Sequence, residues 1–174
     1  MRDILIDQEF PSLNIGPGYA HLEKILPEGH IKITIDRKLS FLSYLKGIPN
    51  QNLINAVAEY LPFRDSSLPT ITTQSTFQVM FDQKAFLREL FRVLKPNGLF
   101  IITIEFGNSY EISIQQFPIY RYAEDDETGK LLSYIKRVGL HIYVTKCLNL
   151  KNEWGDNKVE AFSLWIFGGK KIAH

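Results

Sequence analysis

Short apolar runs alternate with amphipathic stretches along this chain, the rhythm of a parallel sheet whose strands are joined by helices. A first strand ends at Leu13-Asn14-Ile15. Beyond Gly16-Pro17-Gly18 the spacing predicts a helix from about Tyr19 to Leu26, with Leu22, Ile25 and Leu26 on one face and Pro27 and Gly29 as its stop. Ile31 to Ile35 reads as the second strand, and about Lys38 to Lys46 as a helix carrying Leu39, Leu42 and Leu45. Leu53 to Val57 is expected as strand three and Pro69 to Thr73 as strand four. The clearest helix is Gln83 to Leu94, where Phe86, Leu87, Leu90, Phe91 and Leu94 make a broad apolar face. Lys95-Pro96-Asn97-Gly98 turns it into strand five, Leu99 to Glu105, which is apolar on both faces and suits the centre of a sheet. After a loop from Phe106 to Ala123, a helix from about Asp125 to Val138 ends at Gly139. The last two strands, Leu140 to Leu148 and Val159 to Phe167, are joined by Asn149 to Lys158, too short for a crossover helix. They are therefore expected to pair antiparallel.

The first turn carries candidate chemistry. Gly16 and Gly18 follow the apolar Leu13 and Ile15, where glycines let the chain turn sharply and bring backbone amides close to a ligand. Asp36 closes the second apolar run, where a carboxylate accepts hydrogen bonds from both hydroxyls of a ribose. Glycine turn plus acid points to an adenosine-type ligand. A dinucleotide fingerprint needs a third small residue three positions after the second glycine. His21 stands there and Ala20 is out of register, which counts against a nicotinamide or flavin.

Composition narrows the classes further. The 174 residues fit one domain over 1–174, 45% hydrophobic and 22% charged, as in an ordinary globular protein. A net charge of +1 with no block of like charges gives no electrostatic track for nucleic acid. The single cysteine, Cys147, has no internal partner for a disulfide, and acids come too early in Met1-Arg2-Asp3 for a secretory leader. With no apolar run near the ~20 residues of a bilayer span, a cytoplasmic protein without membrane contact is expected. No His/Cys/Asp/Glu spacing suggests a metal, and neither a P-loop nor a Gly-x-Ser-x-Gly elbow is present.

Five helical crossovers followed by a C-terminal hairpin resemble the class I S-adenosylmethionine-dependent methyltransferases, from about residue 12 to the end. Leu13 to Gly18 looks like that family's glycine motif and Asp36 like its ribose-binding acid. Ala58-Glu59-Tyr60-Leu61-Pro62-Phe63 is similar to the segment bordering the adenine, and Phe91-Arg92-Val93-Leu94-Lys95-Pro96-Asn97-Gly98-Leu99 closely resembles the helix-turn-strand of the small-molecule type 11 subgroup. Tyr120-Arg121-Tyr122 and Gly139-Leu140 fit the same subgroup. The resemblance implies a Rossmann-like, doubly wound α/β sheet of seven strands, mostly parallel with an antiparallel C-terminal strand. It implies S-adenosylmethionine as cofactor and a small-molecule acceptor. Asn14, Gly16 and Gly18 would meet the methionine end, Asp36 the ribose, and Val57 and Ala58 the adenine edge. Tyr19, Arg37 and Thr73 complete the expected cofactor set.

The departures are informative too. The family usually carries an acid where Asn14, Val57 and Pro69 stand, and a glycine where Ala20 stands; Val57 can offer only backbone groups. Relatives also carry one or two helices ahead of strand one, where this chain has about a dozen residues. Their absence implies an open site with a cofactor dissociation constant above ~10 μM, a homo-oligomer or other partner that supplies the cover, or a substrate too large for a lid. These features motivate a rival reading, a methyltransferase-like binding or scaffold subunit without catalysis. Tyr19, His21, Glu59, Gln74, Gln78, Glu105, Tyr110, Tyr120 and Arg121 fall on loops at the carboxyl ends of the strands, and none is marked as a general base. Phe106, Tyr110, Phe117, Tyr120 and Tyr122 line the loop that shapes the acceptor pocket in the family.

Overall fold

Alternation in short strands sorts side chains onto two faces, and here it builds a sheet with one mainly apolar face and one richer in polar side chains. The structure is a computed structural model that describes residues 11–18, 31–107, 127–154 and 158–172. Its strands are β1 (Ser12–Ile15), β2 (Lys32–Asp36), β3 (Gln51–Asn55), β4 (Leu68–Gln74), β5 (Leu94–Gly107), β6 (Leu140–Trp154) and β7 (Lys158–Lys171). The helices are α1 (Leu39–Ser43), α2 (Gln83–Val93) and α3 (Glu127–Arg137), with a 3-10 turn at Phe77–Val79. The sheet runs β3-β2-β1-β4-β5-β7-β6. All pairs from β3 to β5 are parallel, and β7 runs antiparallel between β5 and β6.

Leu13, Ile15, Ile35, Ile71, Phe100, Ile102 and Ile104 share one face and form a single core with Phe86, Leu87, Leu90 and Val93 of α2 and Leu131 and Ile135 of α3. Each such side chain contributes about 1.5–3 kcal/mol by leaving water. Asp82 caps α2 by accepting the Ala85 amide at 2.9 Å. At the other end, Lys171 Nζ donates to the Phe91 and Leu94 carbonyls at 2.9 and 3.1 Å, tying β7 to the last turn of α2. The opposite face buries Ser12, Asn14, Lys32, Thr34, Thr70, Thr72 and Thr103. Its groups pair across strands, as where Thr72 Oγ1 donates to Asn14 Oδ1 at 3.1 Å and Gln51 Nε2 to Thr34 Oγ1. On this face α1 covers β3, with Leu42 and Leu45 against Leu53.

Several expected boundaries move. Strand three is Gln51–Asn55, so Val57 lies beyond the strand: the ladder with β2 closes at Asp36↔Asn55 and the chain then turns. The helix expected to Lys46 is regular only over Leu39–Ser43, since Tyr44, Leu45 and Lys46 make tighter bonds to carbonyls three residues back. Strand five already pairs at Leu94↔Leu68, and the Lys95–Gly98 turn, with Asn97 at φ 63°, becomes an irregularity inside it. Most of the expected joint Asn149–Lys158 is itself ladder, from Asn149↔Ser163 to Trp154↔Lys158. The helix expected over Tyr19–Leu26 lies outside the described residues, as does the post-strand-five loop beyond Gly107.

Candidate functional site

Strand order reverses at β1, which has β2 on one side and β4 on the other, so the crevice of this sheet opens above the carboxyl ends of β1 and β4. Gly16 leaves β1 at φ 68°, its amide bonded to the Ile35 carbonyl at 3.0 Å. A Cβ there would collide with Thr76, whose Oγ1 donates to the Gly16 carbonyl at 3.1 Å and fastens the loop after β4 to the loop after β1. Gly18, at φ 53°, is different, because a Cβ there would meet nothing within 4 Å among the described residues. Gly16 is small so that the loops can pack. Gly18 has no such packing neighbour among the described residues.

Asp36 stands at the carboxyl end of β2, one strand over. Its Oδ1 accepts the Lys38 amide at 2.7 Å, while its carbonyl takes the Ala56 amide at 3.2 Å and Asn55 Nδ2 at 2.9 Å. Burial pushes its carboxyl above the ordinary 3.8, outweighing the Lys38 amide bond and the nearby charges of Arg37 and Lys38. A carboxylate has about four acceptor sites, so one amide bond leaves capacity for further donors. Thr73, at the end of β4 beside Ile15, is buried, and its Oγ1 has no hydrogen-bond partner among the described residues. Val57 is 37% exposed and Ala58 buried, just past the point where Ala56 bonds to Asp36. The guanidinium of Arg37 lies 4.6 Å from the centre of the Phe81 ring, which is 85% exposed.

The ends of β1, β2, β3 and β4 thus bring Gly16, Gly18, Asp36, Arg37, Val57, Ala58 and Thr73 to one edge. Asn14 lies one residue deeper, buried within β1 on the polar face. Tyr19, His21, Tyr110, Phe117, Tyr120, Arg121 and Tyr122 lie outside the described residues. Glu59 has a definite task, its Oε1 accepting the Phe81 and Asp82 amides at 3.0 and 3.4 Å. Gln78 is buried in the 3-10 turn and Cys147 is exposed on the outermost strand, away from the crevice.

Sequence reasoning missed Thr76 and Ser75. Ser75 holds φ 51°, unusual for a residue with a side chain, its amide bonded to Thr103 Oγ1 at 3.0 Å and its hydroxyl donating to Glu105 Oε1 at 2.6 Å. A polar Ser-Thr pair directly after a strand at the switch point is the signal that could have found them. Among the described residues no three His, Cys, Asp or Glu groups could hold a metal ion, and no helix is long and apolar enough to cross a membrane.

Comparison with known proteins fits this geometry. A family model described as a methyltransferase domain matches residues 13–102. The ubiquinone/menaquinone biosynthesis C-methyltransferase UbiE of Shewanella sp. (strain W3-18-1) is 33% identical over 90 residues, 51% of this chain and 36% of that protein. The match therefore spans little more than a third of that relative. Among solved structures, the YcgJ protein from Bacillus subtilis superposes with a TM-score of 0.77 at 16% identity, covering 94% of this chain and 92% of that one. A putative methyltransferase from Bacillus halodurans gives 0.78 at 12% identity, covering 98% and 97%. These likenesses at low identity establish the fold, and the matched family model covers the strands that form the crevice.

Proposed function

The chain belongs to the methyltransferase-domain family, and on that premise we propose that it binds S-adenosylmethionine in the crevice above β1 and β4 and transfers the methyl group to a small-molecule acceptor. The observation that carries this reading is Asp36, a half-buried carboxylate with one amide donor among the described residues, on the same sheet edge as a Gly18 that no described residue crowds. Ribose hydroxyls are donors of the kind Asp36 lacks. Gly16 and Gly18 admit the methionine end, Thr73 offers a buried hydroxyl beneath it, and Val57 and Ala58 border the base through their backbone. Bound S-adenosylmethionine supplies a methyl already activated on a sulfonium, so the chain's own task is chiefly to bind and orient. A proton on the acceptor is the one thing left for a side chain to handle. Ser75, whose hydroxyl hydrogen is held by Glu105, keeps lone pairs for such a donor at the ends of β4 and β5. A reducing, cytoplasmic setting suits the exposed free thiol of Cys147.

Calorimetry with S-adenosylmethionine, S-adenosylhomocysteine and reduced nicotinamides tests the reading. Binding of the first two, lost in Asp36→Ala, is expected. A folded protein that binds neither, or prefers a nicotinamide, would overturn it.

A further inference from the structure

Between β3 and β4 the chain leaves the sheet, and a pair of side chains from α2 holds it in place. Glu89 Oε2 accepts the Leu61 amide at 2.7 Å, and Arg92 Nη2 donates to the Leu61 carbonyl at 2.9 Å. Both backbone groups of Leu61 therefore end on the Glu89–Arg92 pair. Arg92 Nη1 reaches the Phe63 carbonyl at 2.8 Å and Asp65 Oδ1 at 2.7 Å, and its Nε and Nη2 bind the two oxygens of Glu89 at 2.7 Å each. Fork-to-fork pairing fixes the planes of both groups as well as their distance. Just upstream, the Tyr60 amide bonds back to the Val57 carbonyl at 3.3 Å, and Ala56 is bonded to Asp36. Val57 and Ala58 thus sit in a short span anchored by the sheet at one end and by α2 at the other.

That span needs accurate placement for a chemical reason. Neither Val57 nor Ala58 has a polar side chain, so what these two residues offer a base lying there is backbone N–H and C=O groups. Such groups have no rotamers with which to adjust; their direction is set by where the chain is pinned. Adenine presents a donor amino group beside an acceptor ring nitrogen, and hypoxanthine presents the reverse, an acceptor oxygen beside a ring N–H.

We propose that Glu89 and Arg92 are positioning residues that set base selectivity, holding the backbone at Val57 and Ala58 so that the crevice takes an adenine and rejects a hypoxanthine. The proposal rests on the S-adenosylmethionine reading given above. Neither residue touches the ligand, and both act through Leu61 and Phe63.

The test is titration of S-adenosylhomocysteine and S-inosylhomocysteine against the wild-type chain, Arg92→Lys, Glu89→Met and the core control Ile135→Val, with thermal unfolding run on each sample. The wild type is expected to prefer the adenine compound by at least about tenfold. Arg92→Lys keeps the charge but loses the planar fork, and should reduce the preference to under about threefold, as should Glu89→Met. Ile135→Val, which loosens the core without touching the segment, should keep the full preference. A purely structural role would lower unfolding temperature and leave the ratio alone. An unchanged ratio in whichever of the two variants folds, or a wild type without preference, overturns the proposal and leaves the cofactor reading standing. A wild type that binds neither compound overturns both.

Discussion

Glu89 and Asp36 are both partly buried carboxylates, one in the middle of α2 and one at the carboxyl end of β2, yet the fold drives their proton affinities in opposite directions. Glu89 is held below the ordinary 4.5, chiefly by its hydrogen bonds with Arg92, which outweigh the cost of its burial. Asp36 is pushed above the ordinary 3.8, because burial there outweighs the Lys38 amide and the two neighbouring cations. Around α2 the chain supplies every partner its acid needs. At the crevice the described residues supply Asp36 with one amide, and the hydroxyl of Thr73, without a partner among the described residues, lies two strands away from that same acid. The region that supplies its own acid with partners thus differs in its electrostatics from the one that, on the cofactor reading, receives a ligand.

Four measurements can break or sharpen this contrast. The largest effect is expected at Gly18, where Gly18→Val should remove measurable S-adenosylhomocysteine binding, a loss beyond about 3 kcal/mol. Because Gly18 holds φ 53°, the substitution should also cost the fold about 1–2 kcal/mol, read by chemical denaturation. Normal binding would make this glycine a mere turn residue. Next, Arg92→Ala should lower stability by about 2–3 kcal/mol, since Glu89 and the carbonyls of Leu61 and Phe63 lose their partner. A change within about 0.5 kcal/mol would mean that solvent replaces Arg92 freely, and the contrast would collapse from that side.

Asp36→Ala should weaken S-adenosylhomocysteine by at least ~1.5 kcal/mol in a titration while barely moving the denaturation midpoint. An unchanged dissociation constant would take Asp36 out of the site. The smallest effects are in pH. Glu89, with a depressed folded value, contributes stability that is complete above 4.5 and is lost as pH falls below 4.5 and through the depressed value. Asp36, with a raised one, contributes stability that is complete below 3.8 and is lost as pH rises through the raised value. Glu89→Gln should therefore flatten the acid limb of a stability profile, and Asp36→Asn should remove the opposing slope. Wild-type affinity for S-adenosylhomocysteine should decline as pH falls through the raised value of Asp36, a dependence that Asp36→Asn should lack.

What the chain disclosed before its structure followed from local physics. Alternation and turn residues placed β1, β2, β4 and α2 within a residue or two, and the short Asn149–Lys158 joint forced the antiparallel end of the sheet. The glycines and Asp36 were legible because they combine unusual backbone needs with strand ends. Strand three was misplaced because Gln51, Asn52 and Asn55 are polar residues on an edge strand, where burial does not select apolar side chains. The ties from Glu89 and Arg92 to Leu61 and Phe63 join residues far apart in sequence, and no periodicity marks them. The same holds for Thr76 reaching back to Gly16. Local pattern shows where chemistry is presented; the partners that steady it are chosen by the fold.

The strands do not end level. β1 stops at Ile15, opposite Thr73, which in turn lies beside Ile102, whereas β5 runs on to Gly107 and the β6–β7 ladder to Trp154↔Lys158. At ~3.3 Å of rise per residue, the hairpin extends on the order of 30 Å past the level where β1 stops. Among the described residues the sheet therefore rises higher on the β5–β7–β6 side of the switch point than on the β1 side. A passive wall of that kind, beside any site at the switch point, would hinder approach and departure by the same factor and leave the binding equilibrium to the residues that touch the ligand.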